Sequence, residues 1–589
     1  MLYRLPLQAN VYKGIFIWSL MVVSLCTWAQ DYTLATITNS DTTYLEVADS
    51  FEVNLSLKSN ITALRKTGHF AASIDSVTFR EDTVWANIHI GNKYKILHVT
   101  EHNISSEYLP ENQQVSMNIS TFERLQKQLI LAHENNGYPF AQLLLKNNYT
   151  TGDTLHTSLR FDPYVKFEYD TLVYNGSSTI SKKYLAKYLD IEPGMLYDER
   201  AILSIDKKLR NLPLVKITGA TRVVFFQGTV RVVLRIEDVI TDRLDGVVGL
   251  APNSNNSAEN QLLITGEINI ELNNLFKSGK QLELHWRNYL QNSQKLDVGF
   301  TYPYLFNTKL GVSSEFNLNK FDTLFVNLMG KISLRYQQQG NNYFQIYYQN
   351  VSSNLLNADT SRIRTTKSIP TNNPYSIDNY GIAVFQQDFD YLPNPRKGYK
   401  VLADVAIGQK QIVRNADIRK VKFINAENSQ FISVYDTAQL KSTRLDIKLS
   451  ASYFIPIKER GTFLQKLSFN GLFASQLFFN ELYNFGGYSS LRGFDENELF
   501  ASKALTYTLE YRYLIGENSN VGLFINTAFV ENKIESNNLI YDVPYGFGAS
   551  ANIQVGKGIL NLAYALGSQQ GNALQLSAAK FHFGVINYF

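Results

Sequence analysis

The sequence has little cysteine, no long apolar run and no excess of one charge, and each shortage excludes a class of protein. Cys26 is the only cysteine in 589 residues, so disulfide scaffolds and thiolate chemistry are excluded once the N-terminus is removed. Lysine and arginine total 56 against 52 aspartate and glutamate residues, which gives no reason to expect a nucleic-acid partner. Stretches of about 18 consecutive apolar residues do not occur, so membrane-spanning helices are not expected.

Catalytic and cofactor-binding motifs are also missing. The chain has eight histidines but neither a His-Glu-x-x-His zinc motif nor a Gly-x-Ser-x-Gly nucleophile motif. No Walker-type phosphate loop occurs, and residues 556–558, Gly-Lys-Gly, are better explained as a tight hairpin turn. His98 and His102 are the nearest approach to a metal-binding pair, and we interpret them as solvated surface residues. We therefore expect no enzymatic activity, no cofactor and no metal.

The N-terminus has the pattern of a secretory signal peptide. Basic residues precede an apolar run from Ile15 to Cys26, and small residues follow at the positions that a signal peptidase recognises. Cleavage after Ala29 would remove residues 1–29, which we assign to the signal peptide. A lipoprotein signal through Cys26 is a weaker alternative, because the preceding Leu25 is large where such signals have a small residue.

The first half of the mature chain repeats an order of helix, break and strand. Ser120 and Glu123 have the spacing of a helix-capping box, and that helix ends at Gly137 before a strand-like segment. The same order is expected around Gly68 and again around Asn211, so the period is about 70 residues. A period of this length favours small α/β modules in tandem rather than a solenoid. We place three modules at residues 30–96, 97–163 and 164–240.

From about residue 241 the chain alternates between apolar and polar residues in long segments. Residues 445–453 and 505–513 place aliphatic and aromatic side chains on one face and charged or small polar side chains on the other. Alternation alone fits a soluble sandwich or a membrane barrel, but these segments have the length of about ten residues that a tilted membrane-spanning strand needs. The alternation continues to the C-terminal Phe589. We predict an antiparallel transmembrane β-barrel of about 16 strands over residues 241–589.

Near the C-terminus, a glycine-rich stretch carries a single arginine. Its notable residues are Gly486, Gly487, Leu491, Arg492, Gly493 and Phe494. Together with the signal peptide, the three modules and the barrel, this stretch resembles the BamA/TamA family of outer-membrane assembly barrels, whose periplasmic modules are called POTRA domains. Residues 394–398, with Pro395 and Gly398, resemble that family's turn before a mid-barrel strand. Three modules resemble TamA more than BamA, which usually carries more.

The resemblance implies a role for the arginine. By segment count its loop falls between strands eleven and twelve, where the family keeps its sixth extracellular loop. The resemblance implies that this loop folds into the barrel lumen and places Arg492 against acidic groups on the inner wall. Glu510 is the expected partner, because its position in the alternation directs it inward. The family's second inward acid corresponds here to Asn526, which carries no charge, so we expect a weaker contact or one shared with another acid.

The resemblance also implies a mechanism. The first strand, with Gly246 and Gly249, is expected to pair with the last strand, with Phe583, Val585 and Phe589, and we name this join the seam. Because glycine weakens strand packing, the seam is expected to open and to offer an edge to an incoming strand by β-augmentation.

The implied partners follow from that mechanism. They are the outer-membrane lipid bilayer and unfolded outer-membrane proteins, with a TamB-like inner-membrane protein or accessory lipoproteins as further candidates, and no nucleic acid. The implied location is the outer membrane of a Gram-negative cell, with the modules in the periplasm.

Two other functions stay open at this stage. A two-partner secretion transporter shares the modules, the barrel and an Arg-Gly loop, but usually has an N-terminal plug helix. Residues 31–43 are too short and too rich in threonine and aspartate for such a helix. A passive porin would leave the modules and the lumen loop without a purpose. The preferred hypothesis is an assembly or translocation factor for outer-membrane β proteins, with a TamA-like role slightly ahead of a BamA-like one.

Overall fold

The computed structural model describes residues 32–586, apart from short stretches at 39–40, 48–49, 81, 112, 240, 253–261, 291–292, 339, 425–429, 496, 536–537 and 557. The predicted signal peptide and Phe589 lie outside the described residues. Within those residues, no helix has the length and apolar character needed to cross a membrane. The chain divides into two compact units, the first ending at residue 167 with 196–199 added, and the second containing 168–195 and everything from residue 200.

The first unit contains two α/β modules of one topology. Each is a four-stranded sheet with one helix, and in each the first strand pairs in parallel with the last. The elements of the first module are β1 (Tyr32–Thr38), β2 (Asp41–Val47), α1 (Ser50–Lys66), β3 (Ser73–Arg80) and β4 (Thr83–His89). Those of the second are β5 (Ile96–His102), β6 (Val115–Asn118), α2 (Ile119–Glu134), β7 (Gln142–Thr151) and β8 (Thr154–Asp162). The strand orders are β2-β1-β4-β3 and β6-β5-β8-β7.

The helix of the second module shows how the sequence builds these units. Phe122 and Leu129 lie on one face of α2 and are buried against Leu97 of β5, because side chains three or four residues apart share a helix face. The predicted capping box is wrong in detail. The helix begins at Ile119, and the side chain of Asn118, not Ser120, accepts the N–H of Thr121 at 2.8 Å.

The second unit begins with a third module of different topology. Its elements are β9 (Glu168–Tyr174), α3 (Lys182–Leu189), α4 (Glu199–Arg210), β10 (Val215–Phe226) and β11 (Thr229–Asp238). A second helix takes the place of the short strands β2 and β6, so the sheet has three strands in the order β10-β11-β9. The sequence pattern predicted α4 and the β10–β11 hairpin, but it missed the short helix α3.

The rest of the second unit is a transmembrane β-barrel, as predicted. Its first part contains β12 (Arg243–Pro252), β13 (Leu262–Leu275), β14 (Lys280–Leu290), β15 (Ser293–Tyr302), β16 (Leu310–Phe321), β17 (Phe325–Gln337), β18 (Tyr343–Leu355), α5 (Thr360–Thr366), β19 (Tyr375–Phe389), β20 (Gly398–Ile412) and α6 (Ala416–Lys420). Its second part contains β21 (Phe423–Ile424), β22 (Phe431–Ile432), β23 (Lys441–Ile457), β24 (Gly461–Ala474), β25 (Tyr483–Phe485), β26 (Leu499–Ala501), β27 (Lys503–Gly516), β28 (Ser519–Glu535), β29 (Asn538–Asp542), β30 (Tyr545–Val555), β31 (Gly558–Ser568) and β32 (Lys580–Ile586).

The strand number of the barrel agrees with the prediction. Seventeen of these strands form one antiparallel sheet, whereas β21–β22 and β25–β26 are separate small hairpins in the connections. Both β29 and β30 pair with β28 and are separated only by Val543 and Pro544, so the two form a single crossing of the wall. The described sheet therefore has sixteen crossings.

Side chains alternate across the barrel wall as the sequence predicted. On β28, Leu523 and Ile525 are exposed on the outer face at 66% and 58%, whereas Phe524 and Asn526 between them are buried inside at 3% each. Neighbouring strands follow the same rule, so the outer face is apolar and the inner face is polar, as a wall between hydrocarbon and a lumen requires.

The two ends of the barrel differ. Short turns at one end pack under the third module: the Ser181 N–H donates to the Lys277 carbonyl at 2.8 Å, and Lys309 pairs with Asp190. Longer connections lie at the far end, at 356–374, 413–440 and 475–502. The last of these joins the eleventh and twelfth crossings, β24 and β27, where the segment count predicted it. We name residues 475–502 loop 6, because it is the sixth connection at the far end.

Strands from both ends of the sheet surround loop 6. A cavity of about 780 Å³ is lined by Arg243 of β12, Lys295 of β15 and Phe500 of loop 6. Asp495 of loop 6, which lines the same cavity, lies 2.7 Å from the amine of Lys580 in β32. The first and last strands therefore face the same loop. Among the described residues no hydrogen-bonded ladder joins β12 to β32, so pairing at the seam stays a prediction.

Candidate functional site in loop 6

Loop 6 enters the lumen as a hairpin. Its stem is the antiparallel pair β25–β26, and beyond the stem the chain reverses through Gly486, Gly487 and Gly493. The φ angles of these glycines are 123°, 89° and 102°, in the left-handed region that side chains rarely tolerate. At Gly493 a Cβ would also lie 2.9 Å from the backbone of Gly567 in β31. The predicted glycines therefore allow both the reversal of the loop and its close approach to the wall.

Arg492 is the centre of the site and is 6% exposed. Its Nη2 lies 2.9 Å from Oε2 of Glu510, and its Nε donates to Oδ1 of Asn526 at 3.2 Å. The guanidinium carbon lies 3.4 Å from the ring centroid of Phe524, which adds a cation–π contact that the sequence did not predict. The structure thus brings Arg492 together with both wall residues that the sequence selected.

Glu510 serves two arginines. Its Oε1 accepts from Nε of Arg512 at 2.9 Å and lies 3.4 Å from Oγ of Ser550, while Oε2 faces Arg492. Since a buried charge costs free energy unless it is paired, both guanidinium groups depend on this one carboxylate. Asn526 is held in turn, because its Nδ2 donates to Oγ1 of Thr508 at 2.8 Å.

The apolar residues of the motif also hold the loop. Leu491 and Phe494 are buried in a cluster with Phe485 of the stem and Ala528 of β28. Burial of two large side chains stabilises the inserted loop by about 1.5–3 kcal/mol each relative to exposure. The tip of loop 6, by which we mean residues 486–494, is therefore held by packing as well as by charge.

Two wall glycines that contact the loop tip were missed from sequence. A Cβ at Gly546 of β30 would overlap the carbonyl oxygen of Arg492, and one at Gly567 of β31 would overlap Gly493. The signal that could have found them is glycine at inward positions of strands that otherwise alternate regularly, since strand glycines often mark a close backbone approach.

A second cluster of buried charges was also missed from sequence. It lies at the base of loop 6, by which we mean residues 476–482. Glu481 of the loop pairs with Lys410 of β20, and its Oε2 lies 2.9 Å from Nη1 of Arg444 in β23. Arg444 also contacts Asp446, with Nε and Oδ1 2.6 Å apart. The side chains of Lys410 and Glu481 are 1% and 0% exposed. Alternation had directed Asp446 inward, but no local pattern relates it to residues so distant in sequence.

The predicted mid-barrel turn lies at the end of the barrel that faces the third module. Pro395 lies in the connection between β19 and β20, and Gly398 begins β20 with a φ of 125°. The carboxylate of Asp390 closes the turn by accepting the N–H groups of Arg396 and Lys397 at 3.0 and 3.1 Å. This arrangement positions β20, which carries Lys410.

The predicted seam residues lie in the terminal strands. Gly246 and Gly249 of β12 are opposite Ile268 and Thr265 of β13. On β32, Phe583 and Val585 are opposite Leu562 and Leu560 of β31, and Phe589 lies outside the described residues.

The histidine pair considered from sequence is not the one that the fold brings together. His98 contacts His156 of the neighbouring strand, with ring centroids 5.0 Å apart, whereas Nε2 of His102 lies 2.9 Å from the carbonyl of Pro110. Among the residues that the structure describes, no group of three or more histidine, cysteine or acidic residues is arranged to hold a metal ion.

Comparisons with known proteins identify the fold. No protein-family model matches the sequence, and no curated protein matches it with significance. Among solved structures, CdiB from Escherichia coli is similar with a TM-score of 0.52, at 11% identity over 91% of this chain and 97% of that chain. BamA from Haemophilus ducreyi lacking POTRA domains 1-3 has a TM-score of 0.41, at 13% identity over 83% of this chain and 99% of that chain. The similarity to CdiB shows that this chain has the same fold, a barrel preceded by α/β modules.

Proposed function

We propose that this protein is an outer-membrane barrel that assembles client β proteins or moves them across the membrane, with its modules in the periplasm. The observation that carries the proposal is the buried contact of Arg492 with Glu510 and Asn526 inside a barrel of sixteen crossings. A passive porin needs an open lumen, whereas this lumen holds a hairpin between two clusters of buried charge. The fold shared with CdiB supports the architecture. We propose no enzymatic reaction and no cofactor.

In the proposed mechanism the seam is the working part. Gly246 and Gly249 lie in β12, where missing side chains weaken packing against a neighbouring strand. When β12 and β32 separate, each offers unpaired backbone groups, and an incoming strand satisfies them largely regardless of its sequence. Sheet edges of the modules offer further pairing sites for unfolded clients. The driving force is the folding of the client, because burying strands in lipid satisfies every backbone group only when the sheet closes.

Within this function, a TamA-like role is our first choice. The described residues contain three modules, and residues 32–38 and 41–47 form strands of the first module, so these residues do not supply a plug helix. This favours an assembly factor over a two-partner secretion transporter, which stays the second candidate. A TamB-like inner-membrane protein or accessory lipoproteins are the proposed partners of the modules.

Depletion of the protein tests the proposal. Outer membranes from depleted cells are compared by quantitative mass spectrometry with those of cells that express the parent chain. Loss of many barrel proteins supports a BamA-like role, loss of a few supports a TamA-like role, and loss of one secreted protein supports the secretion transporter. An unchanged outer membrane and unchanged secretion would overturn all three. Complementation with Arg492→Ala tests whether loop 6 carries the activity. The matched control is Arg460→Ala, which replaces an exposed arginine in the turn between β23 and β24.

A further inference from the structure

The base of loop 6 is bound to the wall by more polar contacts than its tip. Lys410 donates to the carbonyl of Gln476 at 2.9 Å as well as to Glu481, and Glu481 accepts the N–H of Phe478 at 3.0 Å. The carboxylate of Glu481 therefore joins two parts of its own loop segment to β20 and, through Arg444, to β23.

The residue next to Glu481 adds a second set of contacts. The side chain of Asn480 donates to Oγ of Ser353 at 2.7 Å and to the carbonyl of Asn373 at 3.0 Å. Its own carbonyl accepts from Nδ2 of Asn327 at 2.8 Å and from the hydroxyl of Tyr375 at 3.2 Å. These partners lie on β17, β18, β19 and the segment just before β19, so the base of the loop is fixed from several strands.

The base is also covered at the far end. Phe478 is 1% exposed and packs with Ile363 of α5, Ile418 of α6, and Val434 and Tyr435 of the 413–440 connection. These connections thus form a small folded cap with its own apolar core, and the segment 476–482 lies between this cap and the wall. Loss of a partner from these buried ion pairs would leave uncompensated charge in the interior, which is strongly destabilising.

We propose that Glu481 is a positioning residue that fixes the base of loop 6 independently of its tip, so that the loop moves as a hairpin hinged at residues 476–482. The base has two carboxylates for two cations, whereas the tip has one carboxylate for two guanidinium groups. When the tip leaves Glu510, the balanced base keeps the loop attached to β20 and β23. This inference rests on the proposed function in one respect: passage of a client protein is the reason for the tip to move.

Two buried reporter cysteines distinguish exposure of the base from exposure of the tip. Leu477→Cys reports on the base and Leu491→Cys on the tip, since the parent leucines are 4% and 0% exposed. Each is placed in the full chain with Cys26→Ser, in detergent micelles, and the rate of reaction with a polar maleimide is measured. Glu481→Gln is expected to raise the rate at Leu477→Cys about tenfold or more, because it leaves two buried cations with a single acid. Arg492→Ala is expected to raise the rate at Leu491→Cys and to leave Leu477→Cys within about twofold of the parent.

Asp417→Asn is the matched control, because Asp417 is an exposed acid of the same cap, paired with Lys420 at 2.9 Å. It is expected to change neither rate. If Glu481→Gln left the base reporter at the parent rate, or if either variant raised both reporters together, independent attachment of the base would be overturned. If Glu481→Gln does not fold, Lys410→Met, which removes one cation of the same cluster, takes its place. It is expected to raise the rate at the base reporter, and an unchanged rate there would overturn the proposal in the same way. No client is present, so failure of the proposed function would leave these rates unchanged.

Discussion

The two ends of loop 6 are held by opposite arrangements of charge. At the tip the loop supplies the cation, Arg492, and the wall supplies the acid, Glu510, whereas at the base the loop supplies the acid, Glu481, and the wall supplies Lys410 and Arg444. At the base, Asp446 provides a second carboxylate for the two cations. At the tip, the uncharged Asn526 contacts Arg492, so Arg492 and Arg512 share the single carboxylate of Glu510. Charge balance therefore makes the tip the weaker attachment, although both clusters are buried.

Removal of the single acid of the tip, Glu510, is the most severe test of this difference between the tip and the base. Glu510→Gln leaves the buried Arg492 and the partly exposed Arg512 without a carboxylate, so we expect the free energy of unfolding to fall by about 3 kcal/mol. The measurement is the midpoint of heat unfolding followed by electrophoretic mobility of the folded barrel. Glu517→Gln, an exposed acid in a module-end turn, is the control and is expected to match the parent. Equal midpoints for all three proteins would show that the tip does not depend on Glu510.

The next largest effect separates the two partners of the tip. Arg492→Ala removes the ion pair, the hydrogen bond and the cation–π contact, and we expect a loss of about 2 kcal/mol, since Glu510 keeps Arg512. Asn526→Ala removes one hydrogen bond and is expected to cost about 1 kcal/mol. The rate of protease cleavage within loop 6 measures both, and Arg492→Ala should be cleaved faster. Equal sensitivity in the two variants, matching the parent, would remove the anchoring role of Arg492.

Adding the missing charge should make the tip resemble the base. Asn526→Asp gives the tip two acids for two guanidinium groups, and the hydroxyl of Thr508 turns from acceptor to donor. We expect the free energy of unfolding to rise by about 1 kcal/mol, because an ionised carboxylate replaces the neutral amide oxygen that accepts from Arg492. Heat-unfolding midpoints measure it, with Asn552→Asp, an amide that accepts from Tyr488 instead of an arginine, as the control. A lower midpoint for Asn526→Asp would mean that desolvation exceeds the gain in pairing.

The smallest effect is expected at a carboxylate outside the barrel. Burial raises the pKa of Asp238, but hydrogen bonds from Ser178 and Thr179 outweigh it and hold that pKa below its ordinary value. Such a group stabilises the fold above its unfolded pKa of about 4, and the contribution is lost as pH falls through the lower folded pKa. Asp238→Asn should cost less than about 1 kcal/mol at neutral pH, because the carboxylate is exposed. The rates of hydrogen exchange of residues 178–189 should differ between parent and variant at pH 7 and become equal in acid. A difference that persisted in acid would show that the ionised carboxylate of Asp238 is not the source of the stabilisation.

Much of the fold was accessible from sequence because its signals are local. Strand alternation over residues 505–513 gave the wall and the direction of Glu510, and the turns between alternating segments gave sixteen crossings. The glycines at 486, 487 and 493 marked the loop, and family resemblance gave the contact of Arg492. The local sequence pattern did not predict α3, β1 or β2, because tertiary packing determines the structure of such short segments.

The rest of the site could not be predicted, because it depends on residues far apart in the chain. Lys410 and Glu481 are 71 residues apart, and nothing near either one indicates the other. Gly546 and Gly567 are ordinary strand glycines until the loop backbone is seen against them. Contacts of this kind follow from the way the strands of the wall surround loop 6, which no local stretch of sequence contains.

Exchange of the two charges at the tip tests the central claim, that Arg492 reaches Glu510 from a loop inserted in the lumen. Arg492→Glu and Glu510→Arg are made singly and together, and protease cleavage within loop 6 is measured for each. Both single variants are expected to be cleaved faster than the parent, and the double variant to return toward the parent rate, because the pair is restored in reverse. A double variant cleaved as fast as the more sensitive single variant would contradict the contact.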